Sequence, residues 1–230
     1  TLLRVNTRTD VPAREGIYFD RNDKPLLNTP RFERAFTVAR AVRQAQLDGK
    51  FTRFTNEWAE GFKRGTYATE MAGAWLGGHL ATYLAPNTKG RGRVSHLPAG
   101  AFAAWGGSFY GIPRRLPEER KRLAWDFIRF MTTNREMQLA AFKNLDAYPA
   151  LIEAARDPFA EQPIEFFGGQ KARLLWREAA ARISPLEVNR LDPIADEVSE
   201  KELDRELDSG KDITRALADA QRQVERRVRR

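Results

Sequence analysis

An α/β layered domain with a helical C-terminal portion is the fold class that this 230-residue sequence predicts. Three observations lead there. Short runs that alternate apolar and polar residues are interleaved with helical periodicity up to about residue 112. Beyond Pro117 only helical periodicity remains, and glycine or proline marks nearly every joint. A hydrophobic content of 42% is enough to furnish a core.

The elements follow in order. Residues 14–28 read as a hairpin, with strand residues Gly16-Ile17-Tyr18-Phe19, a polar turn Asp20-Arg21-Asn22-Asp23 and a return at Pro25-Leu26-Leu27. A helix opens at Thr29 and Pro30 and carries Phe32, Ala35, Phe36, Ala39 and Val42 on one face as far as Gly49. A shorter helix starts at Thr55 or Asn56, pairs Trp58 with Phe62 at i,i+4, and stops at Gly65. Residues 66–72 alternate as a strand, residues 76–84 return to helical spacing, and residues 94–97 and 109–112 read as further strands. Glu118 and Glu119 open a strong helix with Leu123, Ala124, Phe127, Ile128 and Met131 on one face; the next starts from the capping box Thr133-x-x-Glu136. A Pro-punctuated linker at residues 156–163 precedes three helices at about 170–183, closed by Ser184-Pro185, then 193–207 capped by Asp192, and 213–228 with Ile213, Leu217, Ala220 and Val224 in register.

Composition excludes several classes. No run of about 18 apolar residues exists, so no membrane span is predicted. Cysteine is absent, which removes disulfide and thiolate-metal scaffolds. The chain does not begin with Met, which suggests a processed or truncated product. A net charge of +8 raises nucleic acid as a partner, but the basic excess is spread along residues 1–160 rather than gathered into one face. The local clusters, Lys89-Gly90-Arg91-Gly92-Arg93 and the tail Arg222, Arg226, Arg227, Arg229 and Arg230, read as a solvated loop and a helix end. No nucleic-acid partner is therefore expected.

Enzyme patterns fail at specific positions. Gly106-Gly107-Ser108-Phe109-Tyr110 approaches the G-x-S-x-G elbow but has Tyr at its fifth place, and both histidines, His79 and His96, precede Ser108. Neither histidine has zinc-site spacing, and no phosphate-binding glycine loop follows a strand. Glu57, Glu70 and Asp146 are carboxylates available to a glycosidase pair only if the fold brings two together. A glycoside-active or Ser-dependent hydrolase and a basic nucleic-acid-binding module are the alternatives. Loss of turnover on Ser108→Ala would mark the first, and steeply salt-dependent DNA retention the second.

Trp105-Gly106-Gly107-Ser108 concentrates what a small-molecule site needs: flat apolar faces beside backbone that a ligand approaches closely. In order along the chain stand Tyr18-Phe19-Asp20 with Lys24-Pro25, Met71-Ala72-Gly73-Ala74-Trp75, Leu97-Pro98, Trp105-Gly106-Gly107-Ser108, Ile112-Pro113 and Ala124-Trp125-Asp126-Phe127-Ile128-Arg129-Phe130. Tyr148-Pro149-Ala150, Phe166-Phe167-Gly168-Gly169-Gln170 and Ser209-Gly210-Lys211-Asp212-Ile213 continue the series. Together they resemble the C-terminal part of the family 1 extracellular solute-binding proteins, the sugar receptors of ABC importers. Asn22-Asp23 departs from the Asp-Gly common in that family's hairpin.

The resemblance implies a periplasmic-binding-protein-like type II lobe with the other lobe mostly missing. Residues 1–109 would form the α/β portion of the C-terminal lobe, residues 110–159 the interlobe crossing and helices of the incomplete N-terminal lobe, and residues 160–230 the C-terminal-lobe helices. It implies a small carbohydrate as ligand, an ABC transporter permease as partner, a periplasmic or membrane-anchored extracellular location, and neither catalysis nor a cofactor. Trp75 and Trp105 would stack on a pyranose; Gly106, Gly107 and Ser108 would hydrogen-bond its oxygens, with Gly73 beside Trp75 and Tyr110 at the crossing. Asp146 and Tyr148 would face the cleft from the other lobe, and Gly169 with Gln170 would open a helix whose amides donate to the ligand. Trp58, Trp125 and Trp176 are assigned to packing. Helices of the incomplete lobe would expose apolar faces and invite pairing between copies.

Overall fold

Turn chemistry at residues 18–27 shapes the first element. The computed structural model describes Val11 and residues 15–105, 107, 109–183 and 186–228. Asp20 Oδ1 accepts hydrogen bonds from the N–H groups of Asn22 and Lys24 at 2.8 and 2.9 Å. The Lys24 and Asn22 amides hold its carboxyl below the usual range. Phe19 and Pro25 pair antiparallel across this turn, and Leu26 N–H reaches Tyr18 O at 2.8 Å. Asp23 stands at φ 59°, a left-handed conformation that glycine adopts freely and Asp tolerates through its short polar side chain. Asn189 donates to Asp23 Oδ1 at 2.5 Å, so a side-chain contact supports the turn where the resembled family uses glycine.

Nine α-helices follow among the described residues: α1 (Pro30–Gln44), α2 (Asn56–Arg64), α3 (Trp75–His79), α4 (Glu118–Thr133), α5 (Arg135–Leu145), α6 (Ile152–Ala155), α7 (Ala172–Arg182), α8 (Asp192–Ser209) and α9 (Ile213–Val228). A π-helical turn, Leu80–Leu84, continues α3. The chain divides into two compact units, one of Thr1–Lys50, Leu97–Ala103 and Ser184–Arg230, the other of Phe51–His96 and Ala104–Ile183.

In the first unit the hairpin packs with α1, α8 and α9. Phe32, Ala35 and Phe36 of α1 are fully buried, as their spacing predicts. Leu217, Ala220 and Val224 of α9 meet them from its one apolar stripe. Gln221 secures the joint: its Oε1 accepts from Leu27 N–H at 3.0 Å and its Nε2 donates to Pro25 O at 2.8 Å. Two carboxylates, Glu202 and Glu206 of α8, are buried in this unit, with charged partners Arg40 from α1 and Lys211 from the loop between α8 and α9, and with the Gln223 amide of α9.

In the second unit, Ile164, Phe166, Phe167 and Ala172 form a core against Leu80, Val94 and Trp176. Trp176 is therefore packing, as expected, and so is Trp58, at 5% exposure. Trp125 is not: it is 57% exposed on α4, which has no buried residue and also shows Leu123, Phe127 and Phe130 to solvent. Periodicity identified the apolar face of α4 without identifying anything that covers it.

Two further expectations are corrected. No strand forms at residues 66–72, 94–97 or 109–112; among the described residues the only bridges are Phe19 with Pro25 and Ile164 with Gln170. Alternation specifies an extended, two-faced backbone but not a neighbour to complete the ladder. The cap of α5 is Asn134 rather than Thr133, with Asn134 Oδ1 accepting from Met137 N–H at 2.9 Å while Thr133 Oγ1 donates to Arg129 O at 2.8 Å inside α4. Asn134→Ala should therefore cost about 1 kcal/mol in denaturant unfolding and Thr133→Ala clearly less. The stop at Ser184-Pro185 and the tail residues Arg229 and Arg230 lie outside the described residues.

Candidate functional site

An aromatic cluster in the second unit is built by short-range sequence rules. Thr55 caps α2 through Trp58 N–H at 3.3 Å, and Gly65 at φ 68° ends it. Trp58 and Phe62 meet edge to face at 5.0 Å, and Phe54 packs on Trp58 at 5.5 Å. Phe54 holds φ at 66°, sparsely populated for an aromatic, and leaves its ring 68% exposed.

Trp75, the first residue of α3, is the hub. Its ring is stacked with Phe54 at 6.0 Å and 28°, meets Trp105 edge to face at 6.1 Å, and lies 5.2 Å from His79 one turn on. His79 continues to Tyr83 at 5.1 Å, whose side chain is 58% exposed. Gly73 makes room for this arrangement, since a Cβ there would lie 2.7 Å from Trp75 Nε1 and 2.8 Å from its Cδ1. Gly73→Ala should displace the indole with little change in unfolding midpoint; a shift in tryptophan fluorescence beside denaturant unfolding of both forms reads it.

A polar clamp adjoins the rings. The Arg53 guanidinium lies 4.3 Å over the Trp105 ring, donates to Met71 O at 3.0 Å and pairs with Glu70 Oε1. The other Glu70 oxygen accepts from Trp58 Nε1 at 3.5 Å. Glu70 was one of the three carboxylates open to a glycosidase role in the sequence, and here it is committed to Arg53.

The remaining expected residues fall in several places. Gly107 is exposed at φ 133°, while Gly106 and Ser108 lie outside the described residues. Tyr110 is half exposed and meets Phe127 edge to face at 6.5 Å. Asp146, left-handed at φ 53° beyond α5, pairs with Arg173 at 2.7 Å. Its Cβ lies 3.7 Å from where a Cβ on Gly78 would stand, so this loop abuts α3. Tyr148 meets Phe142 edge to face at 5.7 Å, and burial pushes its hydroxyl pKa up, partly offset by the Arg177 charge.

Gly169 and Gln170 do not open a helix: α7 begins at Ala172. Gly169 N–H donates to Ile164 O at 3.1 Å and Gln170 N–H to Phe167 O at 3.3 Å. The Gln170 side chain grips Val94, accepting from its N–H at 2.7 Å and donating to its O at 2.6 Å. An amide engaged at both ends orders the turn rather than offering donors to a ligand.

Sequence reasoning missed Arg53, Phe54, His79 and Tyr83. A signal existed for the aromatics: rings recur every fourth residue at 54-58-62 and again at 75-79-83. Nothing in the sequence placed Arg53 over Trp105, which is 52 positions away. Among the described residues no group of three or more His, Cys, Asp or Glu is placed to hold a metal ion, and no helix is long and apolar enough to cross a membrane.

These two units make the fold of a solute-binding protein. The chain is similar in structure to the ABC transporter associated binding protein from B. animalis subsp. lactis Bl-04 in complex with beta-1,6-galactobiose, with 21% identity and TM-score 0.75 over 90% of this chain and 54% of that one. A structure of an extracellular solute-binding protein family 1 gives 20% identity and TM-score 0.76 over 98% of this chain and 57% of that one. This chain thus spans little more than half the length of either. No curated protein sequence shows a match. The family model described as bacterial extracellular solute-binding protein matches residues 14–168, and the chain belongs to that family. Its place is accordingly outside the cytoplasmic membrane.

Proposed function

We propose that this chain is the carbohydrate-binding part of a receptor that delivers its ligand to the permease of an ABC importer, without catalysis and without a cofactor. The observation that carries the reading is the half-open cluster of Phe54, Trp75, His79, Tyr83 and Trp105 beside the Arg53–Glu70 pair. Flat apolar rings with a few fixed polar groups suit the C–H faces and hydroxyls of a pyranose. The galactobiose held by the B. animalis protein of like fold supports the same class of ligand.

In this reading Trp75 and Trp105 stack on sugar, while Gly106, Gly107 and Ser108 approach its oxygens. Gly73 gives the Trp75 indole its space, and Tyr110, Asp146 and Tyr148 border the ligand. Gly169 and Gln170 act from behind by ordering the turn that holds Val94. Residues 110–159 belong to the other lobe, a reading supported by the uncovered apolar face of α4. Pairing of copies through that face and tethering of the receptor to the membrane are part of the same proposal. Nucleic acid is no partner.

Isothermal titration of the 230-residue chain against neutral mono- and oligosaccharides tests the reading. Saturable heat with at least one sugar is the expected result; a flat response across the panel overturns it.

A further inference from the structure

Arg53 is a permanent cation set against a surface that the carbohydrate reading gives to a neutral ligand. Its guanidinium occupies one face of Trp105 at 4.3 Å. Its Nη2 is already engaged, with Glu70 Oε1 in an ion pair and Met71 O accepting at 3.0 Å. Glu70 is anchored in turn toward α2 by Trp58 Nε1 at 3.5 Å. The two side chains are only 26% and 16% exposed, so their interaction is screened less than that of a surface pair.

We propose that Arg53 and Glu70 are the specificity element of the Trp105 subsite: Glu70 fixes Arg53 across one face of the indole and cancels its charge, so the subsite takes neutral pyranoses and refuses those bearing a carboxylate. The inference rests on the carbohydrate reading above. An unpaired arginine beside an aromatic platform is a ready bidentate partner for a carboxylate. Here that partner is internal. A uronate arriving at Trp105 finds Nη2 of Arg53 already shared between Glu70 and Met71 and a second carboxylate beside it, so the charge it strips of water is met by repulsion as well as by the cation. A neutral sugar carries no such charge to desolvate and keeps the solvent-open part of the indole.

Glu70→Gln separates these effects, because it keeps the side-chain shape and removes the charge. The full chain, E70Q, E70D and R53Q are titrated with beta-1,6-galactobiose and with its analogue whose non-reducing ring carries a carboxylate at C6, and tryptophan fluorescence is quenched in parallel by iodide and by caesium without sugar. In E70Q the neutral affinity should fall and the uronate affinity rise, each about tenfold, and iodide should gain on caesium as a quencher. E70D should keep the wild-type preference, and R53Q should lose iodide quenching and bind still less uronate. If wild type binds neutral sugar but the neutral-to-uronate ratio is the same in E70Q, this inference fails and the carbohydrate reading stands. If no sugar binds wild type, the carbohydrate reading fails. An iodide-to-caesium ratio unmoved by E70Q overturns the charge cancellation whatever the sugars do. Should E70Q not fold, R53Q carries the same comparison with the opposite sign.

Discussion

Trp75→Ala should lower carbohydrate affinity about 100-fold, roughly 2.7 kcal/mol, while the thermal unfolding midpoint falls only slightly. The asymmetry follows from where the ring sits. Trp75 touches Phe54, His79 and Trp105, yet it remains partly open to solvent, so its removal takes away a binding surface more than a core. The three neighbours also lose the contact that fixes their mutual angles, so the platform loosens as well as shrinks. Trp58→Ala supplies the contrast. That ring is 5% exposed and packs between Phe54 and Phe62, so its loss should appear in the unfolding midpoint far more than in the affinity of the folded fraction. A Trp75→Ala protein that binds sugar as wild type does would remove Trp75 from the site and with it the hub of the cluster.

The legible parts of this chain were those encoded by neighbours in sequence. The bounds of α2 follow from Thr55 and Gly65, a cap and a left-handed stop whose chemistry is local, and α9 follows from apolar residues at helical spacing. The aromatic hub was legible in part, since Trp75 and Trp105 were singled out and the structure brings them to 6.1 Å. What failed to show was whatever depends on a distant partner. Strand alternation at residues 66–72 has no pairing neighbour in it, and Gln170 reads as a helix opener until Val94, 76 residues away, is seen in its grip. Glu70 and Asp146 each looked like a free carboxylate; only the folded chain supplies Arg53 and Arg173. A side chain's chemistry was therefore visible in the sequence, and its availability was not.

Availability also decides the stability of the first unit, where Lys211→Met should cost about 3 kcal/mol at neutral pH. Glu202 on α8 has no exposed surface, and Lys211 pairs with it at 2.5 Å and with Asp219 at 2.7 Å. Arg205 and Gln223 also reach the Glu202 carboxylate, at 2.5 and 2.7 Å, which places the cost at the lower end for a broken buried pair. Burial by itself pushes the Glu202 carboxyl up, but the hydrogen bonds from Lys211 and Gln223 with the charges of Lys211 and Arg205 outweigh it and leave it below its ordinary value. A carboxyl depressed in the folded state binds fewer protons than in the unfolded chain. Its contribution is complete above the unfolded value of about 4.3 and is lost as pH falls through the folded one. Asp219, held low first by its hydrogen bond from Lys211, acts with the same sign. Lys211 works at the opposite limb. Burial opposes its charge, but its hydrogen bonds to Asp219 and Glu202 raise it overall, so its contribution is present below about pH 10.4 and fades as pH climbs through the raised value. With methionine at position 211 the burial effect on Glu202 remains while a main counterweight is gone, so the deficit relative to wild type should be largest near neutrality and shrink at low pH as Glu202 takes up a proton. Glu202→Gln added to Lys211→Met should recover part of the loss by removing the orphaned charge. Denaturant unfolding of the three proteins between acidic and neutral pH reads both effects, and a deficit that stays constant as pH falls would show that Lys211 acts through its packing alone.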